Sequence, residues 1–225
     1  MSIPAAALED MPPEPYAEVR AKVRDADLLL CSAHDAFSRL IRWSTQSCWS
    51  HVAIAFRLEE IGRVMVLECV ERIGVRAVPL SRFIARTSSG VEPYPGKILL
   101  ARHTAIATEA GQPMRTMAAS AFDRLGEPFS QAEVAKIAAR IAAGRLGRRL
   151  PPVLEPDDEY ICSEYVARCY AALGLQFAWN GLGFIAPADI ARDPCVMPVA
   201  QIQLPGAKKA KAAPSSVRTA ASASG

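Results

Sequence analysis

The sequence predicts an α+β fold, in which an antiparallel β-sheet of small, open, barrel-like form packs against helices. Two patterns carry that prediction. In the first half, short apolar runs alternate with Gly- and Pro-containing turns; in the second half, alanine-rich segments place apolar residues at helical spacing. With 225 residues, 51% of them hydrophobic, the chain is long enough for a core of ordinary size.

Each element has a local reason. Residues 1–24 read as a loose N-terminal leader with a short helix over Ala17–Arg24 at its end. Asp27–Cys31 is an apolar run short enough for a buried strand, and a brief helix over Asp35–Trp43 follows. A polar loop, Ser44–Ser50, leads into a second buried strand, His51–Phe56. Gly62 marks the turn before a strand over Val64–Val70, Gly74 the turn before Val75–Leu80, and Pro93, Pro95 and Gly96 set off Lys97–Ala101. Thr104–Leu125 suits a helix interrupted by Gly111 and Pro113. Gln131–Leu146 carries Val134, Ile137, Ala138 and Ile141 at helical spacing. Cys162–Leu173 is a helix ended by Gly174, and Pro187 opens a last short one over Ala188–Arg192. The folded domain is assigned to 25–204, and 205–225 to a disordered basic Ala/Ser/Pro tail.

Charge argues against specific nucleic-acid binding. The net charge is +3, yet Lys208, Lys209, Lys211 and Arg218 all lie in the tail, which has no acid, so the body is near neutral. No run of apolar residues is long enough to span a bilayer, and no basic start followed by an apolar run marks a secretory signal. A cytoplasmic location is expected, with at most peripheral membrane contact through the basic face of Gln131–Leu150. The six cysteines, at 31, 48, 69, 162, 169 and 195, form no CxxC pair, and with His34, His51 and His103 they show no paired ligand spacing. Reduced thiols are therefore expected, with neither a metal nor a cofactor.

Three residues stand out for their chemistry. His51 opens an apolar strand, and Glu68 sits inside another, between Leu67 and Cys69. A carboxylate there is costly unless it is paired. If the two strands form a hairpin, opposed residue numbers add to about 120, which sets His51 across from Cys69, or from Glu68 after a slip of one residue. Cys162 begins a helical pattern, so its sulfur lies near the free N–H groups of a first turn, a setting that stabilises a thiolate. The acids Asp157, Asp158 and Glu159 oppose an anion there, or else cap the helix. Each residue also has a plain structural reading: an ion pair for His51 and Glu68, a core thiol for Cys162. Together they have the layout of a Cys-His nucleophilic site, in which Cys162 attacks a carbonyl, His51 moves the proton and Glu68 orients the imidazole.

Trp49–Ile54, Leu67-Glu68, Ile161–Val166 and Gly183–Ile190 resemble segments of the permuted papain-like enzymes of the NlpC/P60 superfamily, in the YiiX/YebB-like branch. The resemblance spans about 27–194, and histidine before cysteine matches the permuted order. It implies a circularly permuted papain-like fold and a cysteine hydrolase of amidase or peptidase type, working through a thioester with Cys162, His51 and Glu68. The Cys162 segment is also similar to the lecithin:retinol acyltransferase-like group, which implies an acyl-lipid substrate as the alternative to a peptide or amide.

Rival readings remain open at this level. Cys48 is a competing nucleophile three residues from His51, but it lacks a helix terminus. His34 and His103 read as loop or surface residues. Trp43, Trp49 and Trp179 are candidate cleft walls, with the loop Ser44–Ser50 and the segment Asn180–Ile185. The non-enzymatic alternatives are a lipid- or peptide-binding module with a vestigial triad and a metal site formed by His51, Glu68 and Cys162.

Overall fold

The computed structural model describes residues 3, 5–85, 92–106, 111–129, 161–178 and 184–206. Among the described residues, seven strands form one sheet: β1 (Pro13–Glu14), β2 (Asp27–Ala33), β3 (His51–Leu58), β4 (Arg63–Val70), β5 (Gly74–Pro79), β6 (Gly96–His103) and β7 (Val196–Ile202). The helices among these residues are α1 (Ala5–Asp10), α2 (Tyr16–Lys22), α3 (Ala36–Thr45), α4 (Leu80–Phe83), α5 (Gln112–Phe122), α6 (Cys162–Ala171) and α7 (Pro187–Arg192). The strand order is β1-β7-β6-β2-β3-β4-β5, so the sheet is α+β in context and open, with β1 and β5 at its edges. It is mixed rather than purely antiparallel, because β1 runs parallel to β7.

Strands β2 to β6 fall where the apolar runs place them. Strand β7 was not anticipated: Pro198 interrupts Val196–Ile202, and the β6–β7 ladder accommodates it with a register shift at Leu100/Ala101. The leader is not loose. Ile3 and Leu8 are buried in the core, and Pro13–Glu14 pairs with Gln201–Ile202. Within the helix expected over Thr104–Leu125, the described residues form one over Gln112–Phe122, entered through Gly111 at φ +67° with Pro113 in the first turn. Helix α3 starts where Asp35 accepts the Ser38 N–H at 3.0 Å and its hydroxyl at 2.8 Å. The stretch Gln131–Leu146, the acids Asp157–Glu159, Trp179 and the tail from 207 onward lie outside the described residues. Among the described residues, no helix is long and apolar enough to cross a membrane.

The sheet is covered on both faces, which explains why β2 reads as a continuous apolar run rather than an alternating one. On one face Leu28, Leu30, Val52, Ile54 and Leu67 pack with Tyr165, Val166 and Cys169 of α6. On the other, Leu29, Cys31, Ala53, Ala55 and Val66 meet Val19 from α2 and Leu80 and Phe83 from α4. The aspartate that opens β2, Asp27, is fully buried and is held by Arg102 through two bonds of 2.7 Å.

Gly96 begins β6 against the β2 backbone, where an added Cβ would collide with the Ser32 carbonyl and Ala33. Gly96→Ala is expected to destabilise the protein by about 1–3 kcal/mol, the usual cost of overpacking. Urea denaturation would read this as a lower midpoint with an unchanged slope.

Candidate active site

The loop entering β3 is tightly held, and that hold fixes His51. Trp49 is buried and donates its indole N–H to the Ile3 carbonyl at 3.3 Å. The Ser50 N–H donates to the Cys31 carbonyl at 2.8 Å, and its hydroxyl oxygen accepts the Ala33 N–H at 3.0 Å. His51 then pairs with Cys31 of β2.

The β3–β4 hairpin runs one residue out from the expected register. Its pairs extend from Leu58–Arg63 to Ile54–Leu67 and stop there. In that register His51 stands across from neither Cys69 nor Glu68; Glu68 reaches it diagonally along the same face of the sheet. The contact is nevertheless made, with His51 Nε2 2.8 Å from Glu68 Oε2. Directly across the next ladder from Glu68 stands Arg76, which donates from Nε and Nη2 to Glu68 Oε1 at 3.0 and 2.7 Å.

Sequence reasoning missed Arg76. Its signal was an arginine on an apolar strand, Val75–Val78, the mirror of the misplaced glutamate.

Cys162 opens α6 on the opposite face of the sheet. The helix is tied down by hydroxyls: Ser163 donates to the Ile185 carbonyl at 2.5 Å, Tyr165 to Ala121 at 2.9 Å and Tyr170 to Ala26 at 2.7 Å. Where the β3–β4 ladder ends, the thiol of Cys162 meets the His51 ring in a side-chain hydrogen bond, and the backbone N–H groups of Val52 and Ser163 also donate to the sulfur. Nε2 is engaged by Glu68, so Nδ1 is the ring nitrogen left for the thiol.

Electrostatics follow from this packing. Burial pushes the Cys162 thiol up, but the His51 cation and the two N–H donors outweigh it and lower its pKa below the ordinary thiol value. For His51, burial favours the neutral ring, and the charges of Cys162 and Glu68 overcome it and raise the pKa. Glu68 is only 3% exposed; burial opposes its charge, but His51 and Arg76 hold its pKa below the usual carboxylate value. These directions favour a thiolate–imidazolium pair backed by a buried carboxylate. Because the imidazole stands between them, sulfur and carboxylate do not converge on one point, and the three are not among the described groups able to share a metal ion.

The site opens into a cleft of about 760 Å³. Its apolar wall includes Ile41, Phe83, Tyr94, Phe129, Ile161 and Phe184. Neither Trp43 nor Trp49 forms this wall: Trp49 is core, and Trp43 projects from α3 beside a separate shallow depression. Of the predicted loop, Thr45 and Ser50 line the cleft. Cys48 lies with Trp43 and His34, outside the cleft, and burial raises its pKa. His34 accepts from Arg42 at 2.9 Å, and His103 is buried rather than superficial. Burial pushes Cys169 up to about 12, which leaves it a protonated core thiol.

The model of the permuted papain-like amidase enzymes, the YaeF/YiiX or C92 family, matches residues 22–180. The chain belongs to this family. It is an enzyme, a cysteine hydrolase. Among solved structures it is similar to the metalloprotein YiiX from Escherichia coli O157:H7, with a TM-score of 0.56 and 19% identity over 79% of this chain and 97% of that one, a likeness of fold. No match was found among curated proteins.

Alkylation by iodoacetamide at pH 7 is expected to label Cys162 well before Cys48, Cys69 or Cys169 in mass-mapped time courses. His51→Ala removes the cation that stabilises the thiolate, so the pH at which Cys162 becomes reactive should move upward and labelling at pH 7 should slow by about tenfold or more.

Proposed function

We propose that the protein hydrolyses an amide or peptide bond through Cys162, His51 and Glu68. The observation that carries this reading is the imidazole hydrogen-bonded on one side to a buried carboxylate and on the other to a thiol at a helix N-terminus. The Cys162 thiolate attacks the carbonyl carbon, forming a C–S bond and an oxyanion. The N–H of Cys162, at the first turn of α6, is the candidate donor to that oxyanion. The proton on His51 passes to the leaving amine as the C–N bond breaks, leaving a thioester. His51, now neutral, takes a proton from water; the hydroxide attacks the thioester, the acid is released, and the proton retained by His51 restores the imidazolium beside the thiolate. Glu68 holds the ring and favours its charged form, and Arg76 holds Glu68.

The apolar cleft wall favours a substrate with an apolar acyl or side-chain group, which also keeps an acyl-lipid ester as the second reading. Six free cysteines suit a reducing compartment, and we place the protein in the cytoplasm.

Cys162→Ala is expected to abolish turnover, by about 10⁵-fold or more in kcat, and to prevent capture of an acyl-enzyme by mass spectrometry. A variant that still turns over at the parent rate would overturn the assignment. The wild-type kcat/KM should be bell-shaped in pH, with its alkaline limb marking loss of the imidazolium proton, whose pKa is raised to about 10. Glu68→Gln removes one of the charges that raise it, so this limb should shift to lower pH.

A further inference from the structure

A second cluster of reactive side chains lies at the far end of the sheet. His103 ends β6, five residues beyond the Ile98 that pairs with Cys31, the partner of His51, or about 17 Å along the strand. It pairs with Val196 at the start of β7. Cys195 immediately precedes β7, and its carbonyl accepts the Thr104 N–H at 2.8 Å. Asp193 closes the C-terminal end of α7. An imidazole nitrogen, a carboxylate oxygen and a sulfur, one from each residue, all lie within 4.8 Å of one another.

We propose that His103, Asp193 and Cys195 bind a divalent metal ion of the zinc class, tetrahedrally, with solvent in the fourth position. Zinc–ligand bonds of about 2.0–2.3 Å put neighbouring ligand atoms about 3.3–3.7 Å apart, so the cluster needs to contract by up to roughly 1.5 Å. The mixed donor set, with one thiolate and one imidazole, selects zinc or cobalt over magnesium and calcium.

The backbone around the cluster is already fixed by the β6–β7 ladder and by Pro194. Asp193 Oδ1 accepts the Cys195 N–H at 2.8 Å, an outer bond that orients the carboxylate and leaves lone pairs for a metal. His103 packs against Tyr170 and Phe177, with ring centroids 5.6 and 5.9 Å away, and its Nε2 stands 4.0 Å from Asp193 Oδ1. Asp193 and Cys195 are partly exposed, which gives the ion an entry path.

Ligation through Nε2 puts the imidazole proton on Nδ1, so the 3.3 Å bond accepted there from the Ala105 N–H is given up, and the Cys195 thiol releases its proton to solvent. The ion would clamp the end of α7 to β6 and β7. Chain spacing conceals the site, since one ligand comes from mid-sequence and the other two from an Asp-x-Cys pair near its end.

The test uses full-length Cys162→Ala protein, so that the thiol at the amidase site takes no metal, stripped with chelator and titrated with Co²⁺. One equivalent should bind with a thiolate-to-cobalt charge-transfer band, and Zn²⁺ should displace it. Cys195→Ser should abolish the band. Asp193→Asn, which can still accept the Cys195 N–H, should weaken Co²⁺ binding by tenfold or more, the size expected for a lost ligand or outer partner. Substoichiometric binding, or a band that survives Cys195→Ser or is lost in Cys48→Ser instead, would overturn the proposal. None of these outcomes depends on amidase activity.

Discussion

A buried carboxylate is the constraint around which this structure is arranged. Removing an ionised side chain from water costs several kcal/mol even after relaxation, and Glu68 is almost completely enclosed. Its charge is stable there only because His51 and Arg76 bind its two oxygens separately. That requirement fixes two strand registers at once. β5 must set Arg76 directly opposite, and β3 must bring His51 within diagonal reach. A slip of one residue in either ladder would send a partner to the other face of the sheet and leave the carboxylate unpaired.

The same registers explain how groups from opposite faces of one sheet meet. His51, Glu68 and Arg76 share the face covered by α2 and α4, whereas α6 packs on the other. A continuous ladder would separate them. Because β3 and β4 stop pairing at Ile54–Leu67, the Val52 N–H is available to the Cys162 sulfur, and the thiol reaches the ring at the end of the sheet. Histidine precedes cysteine by more than a hundred residues, but the geometry depends only on where β3 and α6 end, so a permuted chain order is compatible with the same chemistry.

How much of this was legible follows from which forces acted locally. Cys162 at a helix start, and the mismatch of His51 and Glu68 with their apolar runs, could be read directly, because helical periodicity and the cost of a buried charge are properties of short segments. The diagonal register could not, since a hairpin's pairing depends on the 3₁₀ turn Glu59–Ile61 and the left-handed Gly62 that follows it. Arg76 was missed for a related reason: its partner lies across a second hairpin. Strand β7 was hidden by Pro198, and the packing of Ile3 and Leu8 by a proline-rich composition that looks like a leader. Cleft walls drawn from Phe83, Tyr94 and Phe129 come from the end of α4, the approach to β6 and the segment after α5, and nothing in their local sequence points toward a common space.

The hydroxyls on α6 complete the argument about precision. A nucleophile displaced by about an ångström loses much of its advantage, so the proposed role of Cys162 requires the helix that carries it to be held firmly. Yet α6 has no side-chain cap at its N-terminus, and Ile161 there supplies only backbone. What holds it are three buried hydroxyl groups that bond to backbone carbonyls of three different segments: the approach to α7, the end of α5 and the residue before β2. Each would be a liability in an apolar core if unpaired. Paired as they are, Ser163, Tyr165 and Tyr170 fix the helix in rotation and along its axis, whereas apolar contacts alone would tolerate small slides. Ser163 adds its own backbone N–H to the sulfur of the preceding residue, so one residue both locks the helix through its hydroxyl and donates to the Cys162 sulfur. The polar residues of this helix core are therefore explained by the position of one sulfur atom.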